Sequence, residues 1–223
     1  MFKKRKKFHI YLFRHGQTVF NRDGRFTGWM DSRLTVAGKK HANIIARKLK
    51  GKKLEVAIHT RLSRSKDTLV PTLKTHPECR LILEDDRIIE RSYGELQGMT
   101  HEQFIDRIGK QEYDLRTHGD AVVSLDKKNR KKIERFFGTE EYRAIHRGYN
   151  VAGPGGESFK DVEKRVGLFI KDLKKFMRKN KVNVAISAHG NSIRLFRKIM
   201  EKAHKKSVVQ WVIPYDKVYE YEI

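Results

Sequence analysis

A three-layer α/β/α fold with a mainly parallel sheet is what this sequence predicts, on three observations. Short β-prone apolar runs alternate along the chain with stretches of helical periodicity. The segments between successive runs are long enough for the crossover helices that parallel strands require. A length of 223 residues with 38% hydrophobic content suffices for one medium α/β domain.

The elements follow in order. His9-Ile10-Tyr11-Leu12-Phe13 reads as a buried strand that opens into a loop at Arg14-His15-Gly16. Thr35 is placed to cap a helix running through about Leu49, and Gly51 would end it. Leu54–His59 is a second strand, followed by a helix from Ser63 to about Leu73 that stops before Pro77. A short strand, Leu81-Ile82-Leu83, leads into the loop carrying Glu90. From about His101 to Glu141 the chain is polar and largely helical, and Lys127–Lys132 holds five basic residues and one Asn.

Gly153-Pro154-Gly155-Gly156 is the plainest loop signal. Ser158 then caps a long helix with apolar residues at Val162, Val166, Phe169, Ile170, Leu173, Phe176 and Met177, one stripe at steps of three and four. Val182–Ser187 is a strand ending at His189-Gly190, a helix runs from about Asn191 to Lys202, and Lys217–Glu222 is a last strand. No linker rich in Gly, Pro or Ser divides the chain. The expected organisation is one domain over residues 1–223 with a polar, helical insertion at about 104–135.

Composition narrows the partners. Lys and Arg total 50 against 27 Asp plus Glu, a formal net charge of +23 that favours anionic partners at long range. Phosphorylated metabolites, nucleic acid and acidic membrane all fit, and charge does not choose among them. Cys79 is the one cysteine, so an intramolecular disulfide is excluded and a reducing, cytoplasmic setting is expected. No apolar run approaches the roughly 18 residues of a membrane span, and the basic N-terminus reads as a tail before a strand, not a signal peptide.

Two strands end in the same dipeptide, His15-Gly16 and His189-Gly190. Ligands of open α/β sheets gather beyond the carboxyl ends of the strands, so the two histidines are expected to face each other. Arg14 adjoins His15, and Arg64 follows the second strand. Both guanidinium groups are suited to clamp a transferring phosphoryl group. Nearby cations disfavour protonation of His15 and leave a neutral imidazole able to attack phosphorus. Glu90, after the third strand, fits a general acid for the leaving oxygen. The sequence has no His-x-x-x-His, no cysteine pair and no ligand-spaced acidic cluster, so no metal is expected.

Several segments resemble a known family. Leu12-Phe13-Arg14-His15-Gly16-Gln17-Thr18-Val19-Phe20-Asn21 is similar to the nucleophile motif of the histidine phosphatase superfamily. Arg25-Phe26-Thr27-Gly28-Trp29-Met30-Asp31 and Glu90-Arg91-Ser92-Tyr93-Gly94-Glu95-Leu96-Gln97-Gly98 resemble the substrate loop and acid/base motif of its cofactor-dependent phosphoglycerate mutases. His189-Gly190-Asn191-Ser192-Ile193-Arg194 and the stretch His146–Ser158 also resemble the mutase form. The resemblance implies that His15 becomes a phosphohistidine, held by Arg14, Arg64 and His189, with Glu90 moving the proton. It further implies a pocket of Asn21, Thr27, Gly28, Arg91, Tyr93, His101, His146, Arg147, Gly190 and Asn191, primed by 2,3-bisphosphoglycerate.

Two departures bear on that pocket. The family's paired arginines appear as His146-Arg147, and a lysine expected soon after Gly98 is matched by His101. Each swaps a permanent cation for a group that ordinarily titrates near neutrality, so substrate affinity is expected to weaken, or to rise as pH falls. The expected function is interconversion of 3- and 2-phosphoglycerate in glycolysis and gluconeogenesis. A histidine-nucleophile phosphomonoesterase is the alternative, and a basic nucleic-acid-binding protein a distant one. Small phosphorylated metabolites are the expected partners, a homo-oligomer is left open, and neither membrane nor nucleic acid is expected as the main partner.

Overall fold

The computed structural model of the chain describes residues 7–117 and 126–223. The basic run Met1–Lys6 and residues 118–125 of the expected insertion lie outside the described residues. Five strands form one sheet: β1 (His9–Arg14), β2 (Val56–His59), β3 (Leu81–Glu84), β4 (Val184–Ala188) and β5 (Val218–Glu222), in the order β3-β2-β4-β1-β5. All pairs are parallel except β1 with β5. The expected mainly parallel α/β fold is therefore the observed one.

Alternation along the central strands builds two cores. Ile10 and Leu12 of β1, Val56 and Ile58 of β2, and Val184 and Ile186 of β4 face one side. There they meet Val162, Val166, Phe169, Ile170, Leu173 and Met177 of α6 (Phe159–Asn180) and Ile193 and Phe196 of α7 (Gly190–Glu201). Tyr11, Phe13, Ala57 and Ala185 face the other side, against Ile45 and Leu49 of α2 (Val36–Leu49) and Leu69 of α3 (Ser63–Lys74). Strands buried on both faces read as continuous apolar runs, which is why β1 and β4 show no polar alternation.

Caps explain the helix starts. Thr35 accepts from the Gly38 amide at the start of α2, and Ser158 and Asp161 form a reciprocal capping box at the start of α6. The observed strands β2 and β4 begin two residues later than the sequence suggests, at Val56 and Val184. Two four-residue helices, α1 (Val19–Arg22) and α8 (Lys205–Val208), carry too few residues for a periodic signal. α3 contains Pro71, which deprives the Asp67 carbonyl of its helical donor yet leaves the helix intact to Lys74.

α4 (His101–Thr117) and α5 (Lys127–Arg147) hold nearly all the described residues of the expected insertion and extend past both its ends. They run antiparallel with their backbones touching at two glycines. A Cβ on Gly109 would sit 2.0 Å from the Glu134 carbonyl oxygen, and one on Gly138 2.0 Å from that of Ile105. A separate apolar cluster of Phe26, Tyr93, Leu96, Phe104 and Ile105 ties this hairpin to the loops beyond the sheet. Gly138→Ala is accordingly expected to wedge the helices apart, at about 1–3 kcal/mol. Amide hydrogen exchange should then quicken across α4 and α5 while β1 and β4 stay protected; unchanged exchange in α4 and α5 would show that the contact is slack.

Among the described residues no helix is long and apolar enough to cross a membrane.

Candidate active site

β1 and β4 are neighbours, and Arg14 pairs in register with Ala188. The His15 amide continues the ladder onto the Ala188 carbonyl at 3.0 Å, so the two histidines leave the sheet side by side. Their ring centroids are 5.0 Å apart, tilted by 55°. Both side chains are buried, His189 completely. Gly16 lets the backbone turn against the first turn of α2, where a Cβ would lie 2.2 Å from the Gly38 carbonyl oxygen. Thr68 of α3 pins that turn by accepting from the Gly16 amide at 2.9 Å.

The tautomer of His15 follows from its partner. Nδ1 lies 2.8 Å from the Gly16 carbonyl, which can only accept, so Nδ1 carries the proton and Nε2 keeps its lone pair. Burial, then the Arg64 and Arg14 charges, hold its pKa well below that of an ordinary histidine. His189 is lowered well below the ordinary value by burial first and Arg64 next. Its Nε2 shares a 2.8 Å hydrogen bond with Thr60 Oγ1.

Arg64, in the first turn of α3, has a fully buried side chain whose pKa burial lowers to about 10. Its Nη1 donates to Met30 O at 2.8 Å and its Nη2 to Gly28 O at 2.7 Å, which ties the resembled substrate loop to this arginine. Arg14 donates from Nη1 to Ile213 O at 3.0 Å and lies 4.2 Å from the centroid of the Tyr215 ring. Glu90 Oε1 accepts from the Arg91 amide at 2.8 Å and from the Asn191 amide at 3.1 Å, the latter in the first turn of α7. Its backbone carbonyl is held by Trp29 Nε1 at 2.7 Å and Arg165 Nη2 at 3.0 Å. Glu90 Oε2 lies 3.6 Å from where a Cβ on Gly190 would stand, beside the Arg14 guanidinium.

A cavity of about 250 Å³ opens over these groups. Of the residues singled out in the sequence, Arg14, His15, Asn21, Thr27, Gly28, Arg64, Glu90, Tyr93, His101, His146, Gly190 and Asn191 line it. Three do not. His189 is fully buried beside His15; Arg91 is buried with its guanidinium between the rings of Tyr93 and Phe159, at 4.5 and 4.6 Å; Arg147 donates to Val209 O at 2.6 Å. Buried nitrogens of Arg14 (Nε), Arg64 (Nε), His146 (Nδ1) and His189 (Nδ1) have no hydrogen-bond partner among the described residues. Unsatisfied guanidinium donors and imidazole nitrogens at or beside one small cavity fit a phosphoryl group.

The expected titration of the two substituted positions is corrected by their burial. His146 is stacked on Tyr142 at 5.1 Å and its pKa falls to about 3, by burial first and then the Arg147 and Arg91 charges. His101 is also lowered by burial. Both imidazoles are therefore neutral near pH 7 in the free protein, not poised to gain a charge there.

Several contributors escaped sequence reasoning, among them Gly24, Arg25 and Phe26 of the cavity lining. Thr60 and Arg165 orient His189 and Glu90. Arg194 and Tyr215 line the cavity. Arg194 lay within a recognised segment without a role, whereas Tyr215 carries no local signal and reaches the site because β5 pairs with β1.

A sequence profile of the histidine phosphatase superfamily (branch 1) matches residues 10–124 and 121–223. The chain is 32% identical over 195 residues to a 2,3-bisphosphoglycerate-dependent phosphoglycerate mutase of Pseudoalteromonas atlantica, covering 86% of this chain and 84% of that one. In fold it is similar to a putative alpha-ribazole-5'-P phosphatase of Escherichia coli, with a TM-score of 0.72 at 19% identity over 97% of this chain and 90% of the other. A phosphoglycerate mutase of Bacillus anthracis gives a TM-score of 0.68 at 18% identity, over 98% and 88%. With two strand-end histidines packed ring to ring, one of them lining an arginine-rich cavity, and a profile match along nearly its whole length, the chain belongs to the histidine phosphatase superfamily.

Proposed function

We propose that the protein is a 2,3-bisphosphoglycerate-dependent phosphoglycerate mutase that interconverts 3- and 2-phosphoglycerate. The observation that carries the chemistry is a neutral His15, its Nε2 free, at the floor of a small cavity with Arg14, Arg64 and Glu90. A volume of about 250 Å³ suits a small anionic metabolite better than a nucleotide or oligosaccharide. The mutase-like segments around Thr27, Tyr93 and Asn191, together with the relatives named as mutases, favour isomerisation over hydrolysis.

When bound, 2,3-bisphosphoglycerate supplies the phosphoryl group that primes His15. Nε2 of His15 takes the phosphoryl group and later returns it to a glycerate oxygen, while Nδ1 stays bonded to Gly16 O. Arg14, Arg64 and the Nδ1 of His189 stabilise the charge on the transferring group. Glu90 takes the proton of the accepting hydroxyl and gives it back to the leaving oxygen in the reverse transfer. Asn21, Thr27, Gly28, Tyr93, His101, His146, Gly190 and Asn191 orient the glycerate, and the walls keep water from phosphorylated His15. Arg91 and Arg147 act on this pocket from behind it.

One observation favours a phosphatase instead. His101 and His146 are neutral where two permanent cations would help retain a bisphosphate. Incubation with 3-phosphoglycerate, with and without 2,3-bisphosphoglycerate, separates the readings. Bisphosphate-dependent appearance of 2-phosphoglycerate with little free phosphate is the expected result, and phosphate release alone would replace the mutase with a phosphatase.

A further inference from the structure

The backbone of residues 209–213 holds three arginines at alternate positions. Val209 O accepts from Arg147 Nη1 at 2.6 Å, Trp211 O from Arg194 Nε at 2.7 Å, and Ile213 O from Arg14 Nη1 at 3.0 Å. Two of the three, Arg14 and Arg194, line the cavity. Arg194 stands on the second turn of α7, and its Nη1 donates to Asn191 Oδ1 at 2.5 Å. Among the described residues it pairs with no carboxylate, and its Nη2 has no acceptor. A cavity-lining guanidinium fixed by two neutral oxygens, with one nitrogen left unbonded, is preorganised for an anion.

The remaining candidates for that role are weaker. Arg147 is turned to Val209 O, and Arg91 lies between Tyr93 and Phe159. His101 and His146 contribute neutral hydrogen-bonding edges. Arg25 lines the cavity, but its Nη1 is committed to Gly98 O at 2.7 Å and its guanidinium carbon lies 5.9 Å over the Phe20 ring. Arg194 keeps its charge near pH 7, since burial lowers its pKa only to about 10.

We infer that Arg194 is the receptor for a carboxylate on the substrate, set at a fixed span from the phosphate site of Arg14, Arg64 and His15 by the carbonyls of Trp211 and Ile213. One charge and one free nitrogen match a carboxylate oxygen better than a second phosphate. This specificity role deepens the reading above and rests on the cavity being the phosphoryl-transfer site, but it does not require isomerisation.

Calorimetric binding of a matched pair of ligands tests it: 2-phosphoglycolate, which carries the carboxylate, and 2-hydroxyethyl phosphate, which replaces it by an alcohol. The wild-type protein should bind phosphoglycolate about 10- to 100-fold more tightly. Arg194→Gln should erase most of that preference while changing hydroxyethyl phosphate affinity by less than about threefold, and Arg194→Lys should restore part of it. Arg25→Gln should leave the preference intact. The inference is overturned if the wild type shows no preference, if the preference survives Arg194→Gln, if both ligands weaken equally in that variant, or if Arg25→Gln removes it. A preference that depends on Arg194 in a protein lacking isomerase activity would sink the mutase reading and leave this inference standing.

Discussion

His15→Ala is expected to lose turnover of any phosphate ester by about 10⁴- to 10⁶-fold, the scale seen when a covalent nucleophile is removed. The size follows from the geometry, because no neighbour can substitute. His189 is 5.0 Å away by ring centroids, but Thr60 engages its Nε2 and the ring is fully buried. Arg14, Arg64 and Glu90 would remain, so an oxyanion could still be stabilised while nothing attacked phosphorus. The decisive measurement is labelling with a phosphoryl donor. Wild-type protein should take up an acid-labile, base-stable phosphoryl group and His15→Ala should take up none, with near-native circular dichroism. Label retained by the variant would place the nucleophile elsewhere.

Acidification should destabilise the fold steeply, beginning near pH 6.5. His15 and His189 are buried and His146 is partly buried, all three with pKa values below the ordinary 6.5, that of His146 at about 3. In the unfolded chain each returns to about 6.5. Between the two values the unfolded chain binds protons that the fold refuses, so stability is complete above about pH 6.5 and falls as pH drops toward each folded value. The slope approaches about 1.4 kcal/mol per pH unit for each fully buried imidazole. His101, only half-buried, adds less because solvent screens it. Against a typical total of about 5–15 kcal/mol, such groups together should remove a substantial share of the stability as pH falls from about 7.5 to 5. Urea titrations at pH 7.5, 6 and 5 measure this directly. His146→Phe should flatten the acid slope by about one proton, and a flat profile from pH 7.5 to 5 would contradict the buried neutral state. Loss of activity on the acid side is then expected to track unfolding, not titration of the nucleophile.

Most of the elements that sequence periodicity predicts are those whose burial is one-sided or complete. α6 is legible because Val162 through Met177 form one stripe, and β1 because both its faces are buried. The strand ends leading to His15, Arg64 and His189 were legible for the same reason, whereas β3, which leads to Glu90, is mostly exposed and was legible only from its short β-prone apolar run. α1 and α8 were not, because four residues make barely one turn.

The sequence by itself determined a mainly parallel sheet, two histidines beyond strand ends and arginines suited to phosphate. These depend on local periodicity and on a general rule about where sheets bind ligands. Only the tertiary structure decided which cations face the cavity and which imidazoles are charged. Arg147 points to Val209 O, Arg194 faces the cavity, and His146 is stacked and neutral. The physical reason is that side-chain direction and desolvation are set by partners remote in the chain. The 209–213 backbone and the aromatic rings of α5 reach the site only once β5 has paired with β1 and α5 has packed on α4.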